Sequence, residues 1–230
     1  MKAFFLNRDC DAALRDRLRA AWPATFPPLS RVVAIDPGSG EIDPATHPLA
    51  RADWFGQAEI KRGPFCAFLS HARAWEEIAA GPDALGIVLE DTVLPLPDLG
   101  PVIADWNGDT DILFFNEAIS AWTRAHGGAA RSVPAAVAEL VRANWRLGQD
   151  VPHPGAAGYA LTRGAARHLL ARMPETGLRM GVDWFLLAAC LAPGDFPAGH
   201  PGYHVFTYLR DHASGQLSGR ILGQPLCRAA

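Results

Sequence analysis

Two periods alternate along this chain. Ala3-Phe4-Phe5-Leu6 is an unbroken apolar run ending at Asn7, and "DAALRDRLRAAW" then places Leu14, Leu18 and Trp22 four apart, the stripe of an amphipathic helix. "RVVAID" (Arg31 to Asp36) predicts a second strand, closed by "PGSG". Residues 37–64 carry many Gly, Pro and Asp without a sustained period, which predicts a long loop with at most one short helix. From Phe68 to Ala80 the helical period returns, with His71, Trp75 and Ile78 on one face. "ALGIVLE" and "DILFFN" predict the third and fourth strands. Pro134 suits a first helical turn, opening a helix that carries Val137, Leu140, Val141 and Trp145. "AAGYALT" predicts a strand leading into a helix capped by Thr162, and "GVDWFLLAACL" a short, very apolar helix. Beyond Pro193 the pattern becomes irregular.

Strands that are near-continuous apolar runs, alternating with helices, imply an α/β domain. Its sheet is expected to be mostly parallel, Rossmann-type, with helices on both faces. The expectation is one domain over residues 1–230, with a core over about 3–192 and an irregular tail over 193–230. In such sheets ligands bind beyond the carboxyl ends of the strands, which directs attention to Asn7, to Glu90-Asp91 and to Asn116-Glu117.

With 49% hydrophobic and 20% charged residues the chain can build a full core, and a net charge of -3 gives no electrostatic reason to expect nucleic acid as a partner. Cys10, Cys66, Cys190 and Cys227 form no CxxC pair and are expected to be free thiols. No segment approaches the roughly 18 apolar residues of a membrane span. The expected location is the cytoplasm, at most peripheral to the inner membrane face.

Paired carboxylates just past a buried strand suit a hard cation such as Mg²⁺ or Mn²⁺, or the hydroxyls of a sugar. They equally suit a turn before "PLP". His71 has the position of a core histidine, and Ser70-His71 point about 100° apart on a helix, which disfavours a hydrolytic pair. Cys66 is a weak nucleophile candidate. Asp183 has the position of a helix cap. Trp54 and Trp122, in polar settings, are the preferred sugar-stacking candidates over Trp106 and Trp145. His200 and His204, with Pro-Gly between them, make a poor zinc pair.

"GPFCAFLSHARAWEEI" followed by "ALGIVLEDT" resembles the signature of glycosyltransferase family 25, the lipooligosaccharide galactosyltransferases and their relatives. The matching positions are Leu69, Ser70, His71, Trp75, Glu90 and Asp91. "FFLNRDCDAALRDRL" is similar to the family's opening segment through Asn7, Arg8 and Arg15, and "PGAAGYALTRGAARHLL" and "GVDWFL" are similar to later ones. The resemblance implies a GT-A-type fold and a bacterial transferase of lipopolysaccharide biosynthesis. That enzyme would move galactose or a similar sugar, with inversion, from a UDP-sugar to a glycan or lipid-linked saccharide. It implies donor binding by Asn7, Arg8, Arg15, Ser70, His71, Glu90 and Asp91. It makes Asp183 the preferred catalytic base, with Glu117, by its place at a strand end, the second candidate, and Glu90, Asp91 and Asp183 would hold Mn²⁺ or Mg²⁺. The family's third acid is here Thr92, so a catalytically silent, nucleotide-sugar- or partner-binding relative is the alternative.

Overall fold

The computed structural model describes residues 1–51, 60–195 and 209–230. Strand β1 (Lys2–Asn7), helix α1 (Ala12–Ala21), strand β2 (Leu29–Val33), helix α2 (Arg62–Ala80) and strand β3 (Leu85–Glu90) form the first half. There follow β4 (Val93–Pro95), α3 (Leu99–Trp106), β5 (Ile112–Phe114), α4 (Glu117–Ser120), β6 (Arg131–Ser132) and α5 (Val133–Leu147). The chain continues through β7 (Gly158–Thr162), α6 (Arg163–Thr176) and α7 (Val182–Cys190) to the short strands β8 (Gly219–Ile221) and β9 (Cys227–Ala229).

Seven strands form one sheet in the order β2-β1-β3-β7-β5-β8-β6. β1, β2, β3, β5 and β8 run one way, and β7 and β6 run against them. The fold is thus α/β with a mostly parallel sheet. Both faces are covered. Phe4, Leu6 and Val88 pack on the side of α2, α6 and α7, and Ala3, Phe5, Ile87 and Leu89 on the side of α1 and α3. The period of two along each strand explains why apolar residues occupy both sets of positions. Phe5, Phe65 and Phe68 are fully buried, and each such side chain contributes roughly 1.5–3 kcal/mol of burial.

Helix α2 starts six residues before the periodic stripe that predicts it, because Pro64 falls in its first turn, where a missing N–H costs nothing. Helix α3 has no counterpart among the expected elements. Gly100 lies in it, and a Cβ there would stand 2.7 Å from the Phe26 ring. The tail departs from expectation: rather than being irregular throughout, it supplies β8 to the main sheet and pairs β9 with β4. Strands of three residues, one beginning at Gly219, are too short to show an apolar run. All four cysteines are free. Among the described residues no helix is long and apolar enough to cross a membrane.

Candidate active site

The carboxyl ends of β1, β2 and β3 share one rim. Because β7 is antiparallel to β3, the segment entering it, Gly155–Ala157, arrives at the same rim, and Glu90 N–H donates to the Ala157 carbonyl at 3.0 Å. Asp91 N–H continues the β1–β3 ladder onto the Leu6 carbonyl at 3.1 Å. The strand's alternation therefore persists through both acids. Glu90 falls on the α2 face and Asp91 on the α1 face, so adjacent carboxylates have different surroundings.

Asp91, nearly buried, accepts from Asn7 Nδ2 at 2.6 Å, and Asn7 Oδ1 accepts from Arg31 Nε at 2.9 Å. Burial pushes the Asp91 carboxyl above its usual range, with Asp11 and Glu90 adding to it against the Asn7 bond and Arg8. Glu90 goes the other way. Burial would raise it, but the hydrogen bonds from His71 and the Thr92 hydroxyl outweigh that and hold it below the usual range. His71 Nε2 lies 3.4 Å from Glu90 Oε1, and Thr92 Oγ1 donates to Glu90 Oε2 at 3.4 Å.

A cavity of about 270 Å³ opens here, lined by Asn7, Arg8, Ser70, His71, Glu90 and Asp91 among others. A second, of about 370 Å³, lies beside it and is lined by Lys61, Glu90, His153, Gly155 and Asp183 among others. Glu90 and Ala67 belong to both linings, so the two form one cleft with Glu90 at the seam. The first turn of α2 reaches it through Gly63 and Pro64, bringing the positive end of the helix dipole.

In the second cavity Asp183 is buried and engaged. Its Oδ2 lies 2.6 Å from His153 Nδ1 and accepts the Gly155 N–H at 3.2 Å. The Gly155 carbonyl is held from the other side by Asn116 Nδ2 at 3.0 Å. The Asp183 bond raises the pKa of the exposed His153 above its ordinary value, against the opposing effect of burial. Asp183 does not cap α7, whose N-cap is Gly181.

The structure thus gathers Asn7, Arg8, Ser70, His71, Glu90, Asp91 and Asp183 around one cleft, and two expected residues stand outside it. Arg15 is paired with Asp16 on α1, and Glu117 is exposed at the start of α4; neither lines either cavity. Glu90, Asp91 and Asp183 do not converge as one ligand set either: among the described residues no group of three His, Cys, Asp or Glu is placed to hold a metal ion. Strand alternation and the two-cavity layout separate them.

Ser70 and His71 form no nucleophile–base pair. Ser70 Oγ donates to the Cys66 carbonyl at 2.7 Å and accepts the Ile35 N–H at 2.9 Å, away from His71, and burial pushes the Cys66 thiol up. Trp122 is a core residue packed near Trp184, not a stacking platform. Trp54, His200, His204 and the side chain of Trp145 lie outside the described residues. His153, Lys61 and Tyr159 escaped the sequence reading, because only the fold brings them to the cleft or its support.

No protein-family model matches the chain, and no curated protein matches it. Among solved structures it is similar to the galactosyltransferase LgtC in complex with donor and acceptor sugar analogues, at 12% identity and a TM-score of 0.46, covering 100% of this chain and 86% of that one. It is also similar to the apo bifunctional glycosyltransferase WbbM, at 10% identity and a TM-score of 0.39, covering 100% of this chain and 45% of that one. At that distance neither likeness bears on donor, acceptor or mechanism.

Proposed function

We propose that the protein is a glycosyltransferase that moves a sugar, galactose or a close relative, from a UDP-sugar to a hydroxyl of a glycan or lipid-linked saccharide. The observation that carries this reading is Glu90 standing in the linings of two adjoining cavities of different character. One has the strand ends, Arg8 and the α2 N-terminus suited to a nucleoside diphosphate. The other has the Asp183–His153 pair, suited to a hydroxyl. The sugar would sit between them.

In the reaction the acceptor oxygen attacks the anomeric carbon, and the bond from that carbon to the diphosphate oxygen breaks. The electron pair leaves with the diphosphate, and the hydroxyl proton passes to the Asp183 carboxylate, which His153 positions through Nδ1. A single displacement of this kind inverts the anomeric centre. Arg8 and the α2 N-terminus offset the charge that develops on the diphosphate. A divalent cation, Mn²⁺ or Mg²⁺, would be held by Glu90 or Asp91, which face the donor cavity from opposite sides of the strand, and would supply further neutralisation of the diphosphate. Both are hard oxygen donors lining the same cavity, which fits such a cation only with substrate ligands present.

Thr92 favours a second reading. At the position of the family's third acid it donates a hydroxyl to Glu90, as in a silent relative that binds the nucleotide sugar without turning it over. Calorimetry with UDP and UDP-galactose, with and without Mn²⁺, followed by donor turnover on a saccharide acceptor, separates the two. Binding with turnover is expected. Binding without turnover supports the silent relative, and failure to bind either nucleotide overturns both.

A further inference from the structure

A line of hydrogen bonds runs from the core to the seam of the cleft. Trp75 Nε1 lies 2.8 Å from Tyr159 Oη, Tyr159 Oη lies 2.9 Å from His71 Nδ1, and His71 Nε2 lies 3.4 Å from Glu90 Oε1. Each atom's role follows from its neighbour. An indole N–H can only donate, so Tyr159 Oη accepts from it. Trp75, Tyr159 and His71 are each 0% exposed, so the tyrosine proton has no water to turn to. Its partner is His71 Nδ1, because leaving a buried hydroxyl proton unpaired costs about 1–3 kcal/mol. Nδ1 is then the acceptor, the ring proton is on Nε2, and that proton points at Glu90. The stacked Tyr159 and His71 rings, with centroids 5.7 Å apart, hold the imidazole in plane.

The line ends on the titratable residue that the two cavities have in common. We propose that Trp75 and Tyr159 are positioning residues that act through His71 to present Glu90 as an oriented carboxylate accepting hydroxyl hydrogens of the transferred sugar at the seam. This rests on the transferase reading and assigns Glu90 a partner within it. A carboxylate whose oxygens already accept the His71 Nε2–H and the Thr92 hydroxyl is fixed in orientation and has lone pairs left to accept hydroxyl hydrogens of a sugar.

The test combines ¹⁵N NMR of the histidine rings with calorimetry on the wild type and Tyr159→Phe. In the wild type His71 is expected as the neutral Nε2–H tautomer. In Tyr159→Phe that single tautomer is lost, and UDP-galactose binding weakens by about tenfold, the loss of one charge-assisted hydrogen bond, while UDP binding is unchanged. Trp75→Phe, which frees the tyrosine hydroxyl to rotate, is expected to act in the same direction and serves if Tyr159→Phe folds poorly. A wild-type His71 protonated on Nδ1, or both variants binding UDP-galactose as tightly as the wild type, overturns the proposal. If the wild type binds neither nucleotide, the transferase reading fails and the role given to Glu90 fails with it. The tautomer measurement still decides the hydrogen-bond line in that case.

Discussion

Asn7 Nδ2 lies 2.6 Å from Asp91 Oδ2, tying the end of β1 to the residue that follows β3. This bond only partly offsets the burial that raises the Asp91 carboxyl. A carboxyl raised on folding holds its proton more tightly in the native chain. It therefore contributes stability below its ordinary value of 3.8 and loses that contribution as pH rises through the folded value.

At neutral pH, then, the charge on Asp91 lowers the stability of the fold. Asp91→Asn is expected to be more stable than the wild type at pH 7 by about 0.5–2 kcal/mol, the usual yield of relieving one unfavourable group. It is also expected to bind UDP-galactose more weakly. Urea denaturation and calorimetry on the same samples check both, and a variant less stable at pH 7 would contradict the account.

Thr92 faces the cavity that holds both acids, and its hydroxyl already reaches Glu90. Thr92→Asp places a third carboxylate there. Affinity for Mn²⁺ alone is expected to rise by about tenfold or more, since ligand charge count sets divalent affinity. Titration of the metal into the nucleotide-free protein reads this directly, and an unchanged affinity means that position 92 does not share a site with the pair.

His153 gains its partner on folding, so its pKa is raised from 6.5. A histidine of this kind contributes stability that is fully present below 6.5 and is lost as pH rises through the folded value. Because the His153 side chain is 72% exposed, the effect is expected to stay below about 1 kcal/mol. Urea midpoints across that window should fall in the wild type, and His153→Gln should remove that part of the slope. In Asp183→Asn the NMR titration of His153 should move back toward the ordinary value.

Gly158 opens β7 in a tight place: a Cβ there would lie 2.5 Å from Cys227 Sγ and 2.9 Å from Phe115 Cε2. Gly158→Ala is expected to cost about 1–3 kcal/mol from overpacking. Combined with Cys227→Ala, the loss should be smaller than the sum of the two single losses, as shown by a double-mutant cycle from denaturant melts. Strict additivity would mean that the sulfur is not the obstacle.

The central strands were readable in the sequence because β1, β3 and β7 are covered on both faces and so appear as apolar runs. β6, β8 and β9 are two or three residues long and show no run. Asn7, Arg8, Glu90 and Asp91 could be placed together because they end parallel strands or follow such ends directly. Tyr159 and His153 could not, since their roles depend on partners far away in the chain. Tyr159 looks like any core aromatic until Trp75 and His71 are seen against its hydroxyl, and His153 looks like a loop residue until Asp183 is seen beside it. The separation of Glu90 from Asp91 is a matter of pleat geometry: the pair is visible in the sequence, but its two environments are not.

Strand β8 slots between β5 and β6, both made much earlier. During synthesis β5 keeps a bare edge, and β6 has no neighbour, until residues 219–221 emerge. The main sheet is therefore closed by residues made long after its other strands, and until they dock the β5 edge is open to pairing with another copy.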